Sequence, residues 1–179
     1  MGQGSSYFTE DEEKQILEQT GLPQRYLQEI QKRYTQIESN NTDDGSSGVD
    51  VTAVLQMPEL KGNHIAVLLV EQLGGKDATL FPTEFVTLFS NLSTVRTPEE
   101  KMKILFNSLD VRRFGFLGGI ELYRFYHSML SPSLSNKEVE RVTKESLGTF
   151  DERIDFEKFK TLIPQWHIVE KMTIMLQLT

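Results

Sequence analysis

The sequence predicts a mainly α fold of two lobes, each built from a pair of helix-loop-helix units. Three observations carry this expectation. Apolar residues recur along most of the chain with the period of an α-helix, and no long run alternates with period two. Between the stripes lie loops that fit one shared twelve-residue spacing, each with an apolar residue at the same position. With 179 residues, 38% of them hydrophobic and 11 of them Phe, the chain is long and apolar enough to bury a core.

The stripes follow in order. Leu27, Ile30, Tyr34 and Ile37 form the first, and Ile65, Leu68 and Leu69 the second. Phe85, Leu88, Phe89 and Leu92 come next, then Met102, Leu105, Phe106 and Leu109. Thr97 followed by Pro98 has the pattern of an N-cap and first helical residue, so that helix is expected to begin there. Leu122, Phe125, Tyr126 and Met129 form a further stripe, followed by Val139 and Val142, then Phe156, Phe159, Leu162 and Ile163. The polar run ESNNTDDGSSG, residues 38–48, is an expected loop insert, and residues 93–97 an expected linker. The expected divisions are an N-terminal arm 1–24, a helix-loop-helix pair 25–93, a second pair 94–165, and a C-terminal helix or tail 166–179.

Composition excludes several functions. The 26 acidic residues outnumber the 19 basic ones, giving a net charge of −7, which disfavours nucleic-acid phosphates. The absence of Cys removes disulfides, thiolate metal sites and S-palmitoylation. No apolar run approaches the ~20 residues of a membrane span, and the N-terminal segment lacks the apolar centre of a secretory signal. A cytoplasmic protein is expected. His64, His127 and His167 are far apart in sequence and form no H-x-x-x-H pair, and G-x-S-x-G, P-loop and Rossmann patterns are absent. No catalytic residue and no cofactor are expected. His127 reads as a partly buried helical histidine, and Trp166 as an anchor for the terminal helix.

The start, Met1-Gly2-Gln3-Gly4-Ser5-Ser6, fits the pattern for N-myristoylation at Gly2. One myristoyl chain gives only marginal membrane binding. The next segment, Glu10 to Glu13, is acidic rather than polybasic, so a partner protein is expected to supply the second attachment. The expected location is therefore peripheral to a membrane.

The loops carry a recognisable spacing. A twelve-residue calcium loop of the EF-hand type has ligands at positions 1, 3, 5, 7, 9 and 12 and Gly at 6. Asp110 at position 1 puts Gly115 at 6, Leu117 at 8 and Glu121 at 12. Leu73 to Glu84 fits a second loop, with Asp77 at 5, Leu80 at 8 and Glu84 at 12. Arg153 to Lys158 read as positions 7 to 12 of another, and Val49 to Ala53 as positions 8 to 12 of the first. Position 8 residues pair across neighbouring loops, so Val49 is predicted to pair with Leu80, and Leu117 with Ile154.

This order of segments resembles the calcineurin B and calcineurin B homologous protein family. The similarity includes the Gly2 start, the run EQTGLPQRYLQEIQKRYTQI, Met57-Pro58-Glu59-Leu60 and the closing Ile168-Val169-Glu170-Lys171-Met172. Integrin-binding EF-hand proteins share the P-E-L-K stretch and a long first loop. The resemblance implies two EF-hand-like lobes and calcium sensing, but the ligand positions argue otherwise. Position 3 of the third loop is Arg112, position 5 Phe114 and position 9 Gly118. Arg112 is placed by sequence to bring its own cation toward Asp110 and Glu121. The second loop keeps only Asp77 and Glu84, the first has Ala53 at position 12, and the fourth has Lys158 there. No metal is expected, with Asp110, Glu121, Asp77 and Glu84 vestigial; a weak calcium sensor through loop 110–121 is the alternative.

The resemblance further implies a non-catalytic regulatory or scaffold subunit that holds an amphipathic helix of a larger protein. The helix would belong to a phosphatase catalytic subunit or an ion exchanger; alternatively, the chain is a membrane adaptor for receptor or channel tails. Candidate groove residues are Leu68, Leu69, Phe85, Leu88, Phe89, Leu105, Phe106, Leu122, Phe125, Tyr126 and Met129, although periodic apolar residues also serve as plain core. Ile168, Val169, Met172, Met175 and Leu176 form a stripe that either plugs the groove or packs permanently.

Overall fold

A computed structural model of the chain describes residues 6–40, 48–74, 79–148 and 152–178. The order is α1 (Glu10–Thr20), α2 (Gln24–Asn40), β1 (Val49–Asp50), α3 (Val51–Leu55), α4 (His64–Gly74), β2 (Thr79–Leu80), α5 (Pro82–Asn91), α6 (Pro98–Leu109), α7 (Gly119–Leu130), α8 (Asn136–Leu147), α9 (Phe156–Phe159) and α10 (Gln165–Lys171). The fold is mainly helical, as the sequence predicts.

Local chemistry sets the helix ends. Thr9, Thr97 and Ser135 cap α1, α6 and α8 in reciprocal boxes with Glu12, Glu100 and Glu138, which satisfy otherwise unpaired first-turn amides. Pro98 occupies the start of α6, where its missing N–H is harmless. Gly21 ends α1 at φ 70°, the left-handed conformation a side chain resists.

The chain divides into two compact units. The first comprises the described residues up to Lys61, then Leu73–Arg96, and the tail from Ile174; the second comprises Gly62–Gln72 and Thr97–Thr173. Residues 93–97 lie at this division, but the segment is no open linker: Ser93 is buried and its hydroxyl donates to the Ser90 carbonyl at 2.8 Å.

In the first unit α2 packs on α5. Leu27, Ile30 and Tyr34 are buried on one face of α2. Tyr34 meets Phe85 edge to face at 5.2 Å, and Phe85 meets Phe89 at 4.8 Å. The Tyr34 hydroxyl donates to the Leu80 carbonyl at 3.1 Å, and desolvation raises its pKa to about 12. Tyr7 packs edge to face on Tyr34 at 4.9 Å and reaches Glu38 with its hydroxyl at 2.5 Å. Strands β1 and β2 pair antiparallel with Val49 opposite Leu80, the predicted register.

In the second unit α7 packs on α8, and α10 on α6. Phe159 sits 5.5 Å from Phe106 and 4.8 Å from Phe125, forming an aromatic centre. Leu117 and Ile154 form an antiparallel bridge, the second predicted pairing, with N···O distances of 2.8 and 3.0 Å. Their side chains are buried.

Candidate functional site

The third loop follows directly from α6. Asp110 ends that helix, and its two carboxylate oxygens accept the N–H groups of Phe114 at 2.9 Å and Gly115 at 2.7 Å. These bonds draw the loop into a tight turn, with Arg113 at φ 56° and Gly115 at φ 79°. The left-handed value is ordinary for Gly115 and strained for Arg113. At the far end, the Glu121 carboxylate accepts the Gly118 N–H at 3.1 Å and so opens α7. Arg112 does not reach these carboxylates. It is exposed, while Asp110 is occupied by backbone amides.

In the second and fourth loops, described side chains also bond groups of their own loop. Glu84 accepts the Phe81 N–H at 3.1 Å, which starts α5 beside Pro82. Asp77 and Gly2 lie outside the described residues. In the fourth loop, Lys158 bonds Glu152 through its ammonium group, and its own N–H donates to Asp155 at 2.8 Å. Lys158 holds the position a bidentate glutamate takes in a calcium loop, so a side-chain cation meets a carboxylate there. Among the described residues, no group of three or more His, Asp or Glu is arranged to hold a metal ion.

The candidate groove residues are all buried. Phe85, Leu88 and Phe89 belong to the first unit; Leu68, Leu69, Leu105, Phe106, Leu122, Phe125, Tyr126 and Met129 belong to the second. The C-terminal stripe divides. Ile168 and Met172 are buried in the second unit and Val169 is half-buried. Leu176 is buried and Met175 is 80% exposed. The Ile174 N–H donates to the Leu92 carbonyl at 2.8 Å within the first unit. Trp166 is not the expected anchor: it is 67% exposed and stacks on His167 at 5.2 Å, while Ile168 and Met172 face inward.

Three features escape a reading by sequence alone. Lys101 is buried, and its ammonium donates to the Met172 carbonyl at 2.5 Å, at the C-terminal end of α10. A cation there meets both unpaired carbonyls and the negative end of the helix dipole. Asn63 adds a second tie to α10, donating to the Lys171 carbonyl at 2.9 Å. Arg33 of α2 reaches Glu29 at 3.3 Å and Glu59 at 3.2 Å, so the Pro58-Glu59-Leu60 segment is held to α2 by an ion pair. His64 and His127 come within 6.4 Å despite their sequence separation, and Tyr123 stacks on His127 at 6.0 Å. For Lys101 the available signal is its position one residue before the apolar Met102, on a helix that otherwise reads as solvated on that side.

Beside the third loop lies a cleft of about 460 Å³, lined by Lys103, Phe106, Asn107, Asp110, Arg113 and Phe156 among others. It is predominantly polar, unlike the apolar groove expected from sequence. No described helix is long and apolar enough to cross a membrane.

Helix-loop-helix units whose loops pair through short antiparallel contacts define an EF-hand-like scaffold. Similarity to known proteins narrows this further. Over 97% of its length the chain is 26% identical to the calcineurin B subunit of Schizosaccharomyces pombe, covering 98% of that protein. It is 24% identical to the type 1 calcineurin B subunit of Dictyostelium discoideum and to the calcineurin B subunit of Debaryomyces hansenii, again over 97% of the chain and 98% of each relative. No protein-family model matches the chain. End to end, the chain is therefore similar to calcineurin B subunits, in agreement with the resemblance read from its sequence.

Proposed function

We propose that this chain is a non-catalytic regulatory subunit of a calcineurin-type phosphatase, and that it holds an amphipathic helix of the catalytic subunit without a calcium signal. The observation that carries the regulatory reading is similarity to several calcineurin B subunits from end to end. Calcium independence draws support from the loops. Asp110 is engaged by two amides, Lys158 occupies a ligand position, and Arg112 and Phe114 stand where oxygen donors are needed. The Gly2 pattern supports acylation and a peripheral membrane location.

The partner helix needs apolar surface, and the candidate lining is buried. In this reading α10 is a cover over the second unit, tied down by Lys101 and Asn63, and the partner helix displaces it. The test is calorimetric titration of a catalytic-subunit helix into the full chain and into a chain ended after Pro164. Tighter binding by the shortened chain supports the cover. Unchanged affinity with an intact fold makes α10 permanent packing, and no binding by either chain removes the regulatory reading. Calorimetry showing micromolar calcium binding would overturn the calcium-independent part.

A further inference from the structure

The third loop presents an outer rim that the regulatory role does not use. Of the large apolar residues exposed among those described, Val111 (69%), Phe114 (60%) and Ile120 (77%) all fall in or beside this one loop. They occupy and flank positions from which calcium ligands have been lost. Phe114 stacks on Phe116 at 5.7 Å, and the Arg153 guanidinium lies 4.4 Å from the centre of the Phe116 ring. The Leu117–Ile154 bridge holds these two loops together. Phe114 is thus braced before any contact is made, so seating it loses little conformational freedom.

The charged groups of these two loops differ in how they are engaged. Arg112, Arg113 and Arg153 are exposed, and the Arg153 guanidinium lies against the Phe116 ring. The acids of the same loops are turned onto other groups. Asp110 accepts loop amides, Glu121 the Gly118 N–H, Asp155 the Lys158 N–H, Glu152 meets the Lys158 ammonium, and Glu157 pairs with Lys160 at 2.8 Å. In a chain of net charge −7, three exposed arginines thus stand in the same two loops as the apolar tips, with Asp155 and Glu157 exposed in the fourth loop as well.

We propose that the rim formed by Val111, Arg112, Arg113, Phe114, Ile120 and Arg153 docks on an anionic lipid bilayer. Aromatic and aliphatic tips enter the headgroup boundary while guanidinium groups bind lipid phosphates. A peptide partner would favour a recess that encloses apolar side chains, whereas these stand outward. A second copy meeting this patch about a two-fold axis would set the same three arginines against each other. The rim also supplies a second attachment of the kind that a single acyl chain requires. Docking of this kind does not depend on whether the chain serves a phosphatase.

The test is flotation of the full, unacylated chain with vesicles of phosphatidylcholine alone or with about 30% phosphatidylserine. Binding is expected only to the anionic vesicles, and to weaken as salt rises. The pair Phe114→Ser with Ile120→Ser, and separately Arg112→Glu with Arg153→Glu, should each reduce partitioning about tenfold or more. Because these side chains are exposed, unchanged thermal midpoints should show that both variants remain folded. Equal flotation of folded variants and parent overturns the proposal, as does parent binding no stronger to anionic than to neutral vesicles. If the parent ignores vesicles while a photo-crosslinker at position 114 captures an acidic partner segment, the rim is a protein-docking surface and the lipid assignment fails.

Discussion

Replacing Asp110 separates a structural brace from a residual metal ligand. Its carboxylate is 8% exposed and accepts two backbone amides, at 2.9 and 2.7 Å. A hydrogen bond to a charged group contributes about 1.5–3 kcal/mol, and two freed amides in an open loop recover part of that from water. Asp110→Ala should therefore destabilise by about 3 kcal/mol. Asp110→Asn keeps one acceptor oxygen but turns an NH₂ group toward the second amide, so it should lose about half as much. Urea unfolding is run in chelator and again in excess calcium. A brace gives the same loss in both, because the bonds need no ion. A change of less than about 0.5 kcal/mol on Asp110→Ala would refute the brace. So would a calcium-induced rise in the midpoint of the parent but not of the variant, since only a ligand stabilises through the ion.

Lys101→Ala should loosen α10 selectively: removing the ammonium leaves the Met172 carbonyl unpaired and opens space beside it, a loss of about 2–4 kcal/mol. Hydrogen exchange should then accelerate in residues 165–172 more than in α7, and uniform acceleration would contradict a local latch. Tyr34 gives an alkaline signature. Its folded pKa of about 12 lies above the ordinary value of 10.0, so the unfolded chain loses the proton first. Stability should be unaffected by Tyr34 below pH 10 and should fall as pH rises from 10 toward about 12. Tyr34→Phe should remove that part of the alkaline slope in unfolding experiments; an unchanged slope would place Tyr34 in water.

Much of the fold is legible in the sequence because helical period and loop spacing are both written in single residues. Leu80 and Val49 pair, and Leu117 pairs with Ile154, because position 8 of each loop carries an apolar residue at a fixed distance from the helix that follows. Thr97 and Glu100 announce the start of α6 for a similarly local reason. The site is less legible. Lys101 reads as a solvated charge until α10 is folded over it, and α10 lies far downstream in the chain. The meeting of His64 with His127, and of Arg33 with Glu59, likewise depends on helix packing rather than on spacing. Trp166 departs from expectation because its bulk alone suggests burial, while the phase of α10 is set by Ile168 and Met172.

Closed loops change where the energy for partner binding must come from. In a calcium-switched hand, the ion can supply part of the difference between closed and open states through its own differential affinity. Here Asp110 is satisfied by amides, and Lys158 meets Glu152, so the loops are held in the folded arrangement without an added ligand. On the function proposed above, opening then falls to the partner. A partner helix can shift the equilibrium only by as much as it prefers the open form. That preference must offset the exposure of the apolar lining and the loss of the Lys101 and Asn63 bonds to α10. A weak helix should therefore fail to open the chain, while a strongly amphipathic one should stay bound. On that proposed function the chain would be a permanent fixture of its complex, and the truncation after Pro164 measures the part of the barrier that α10 contributes.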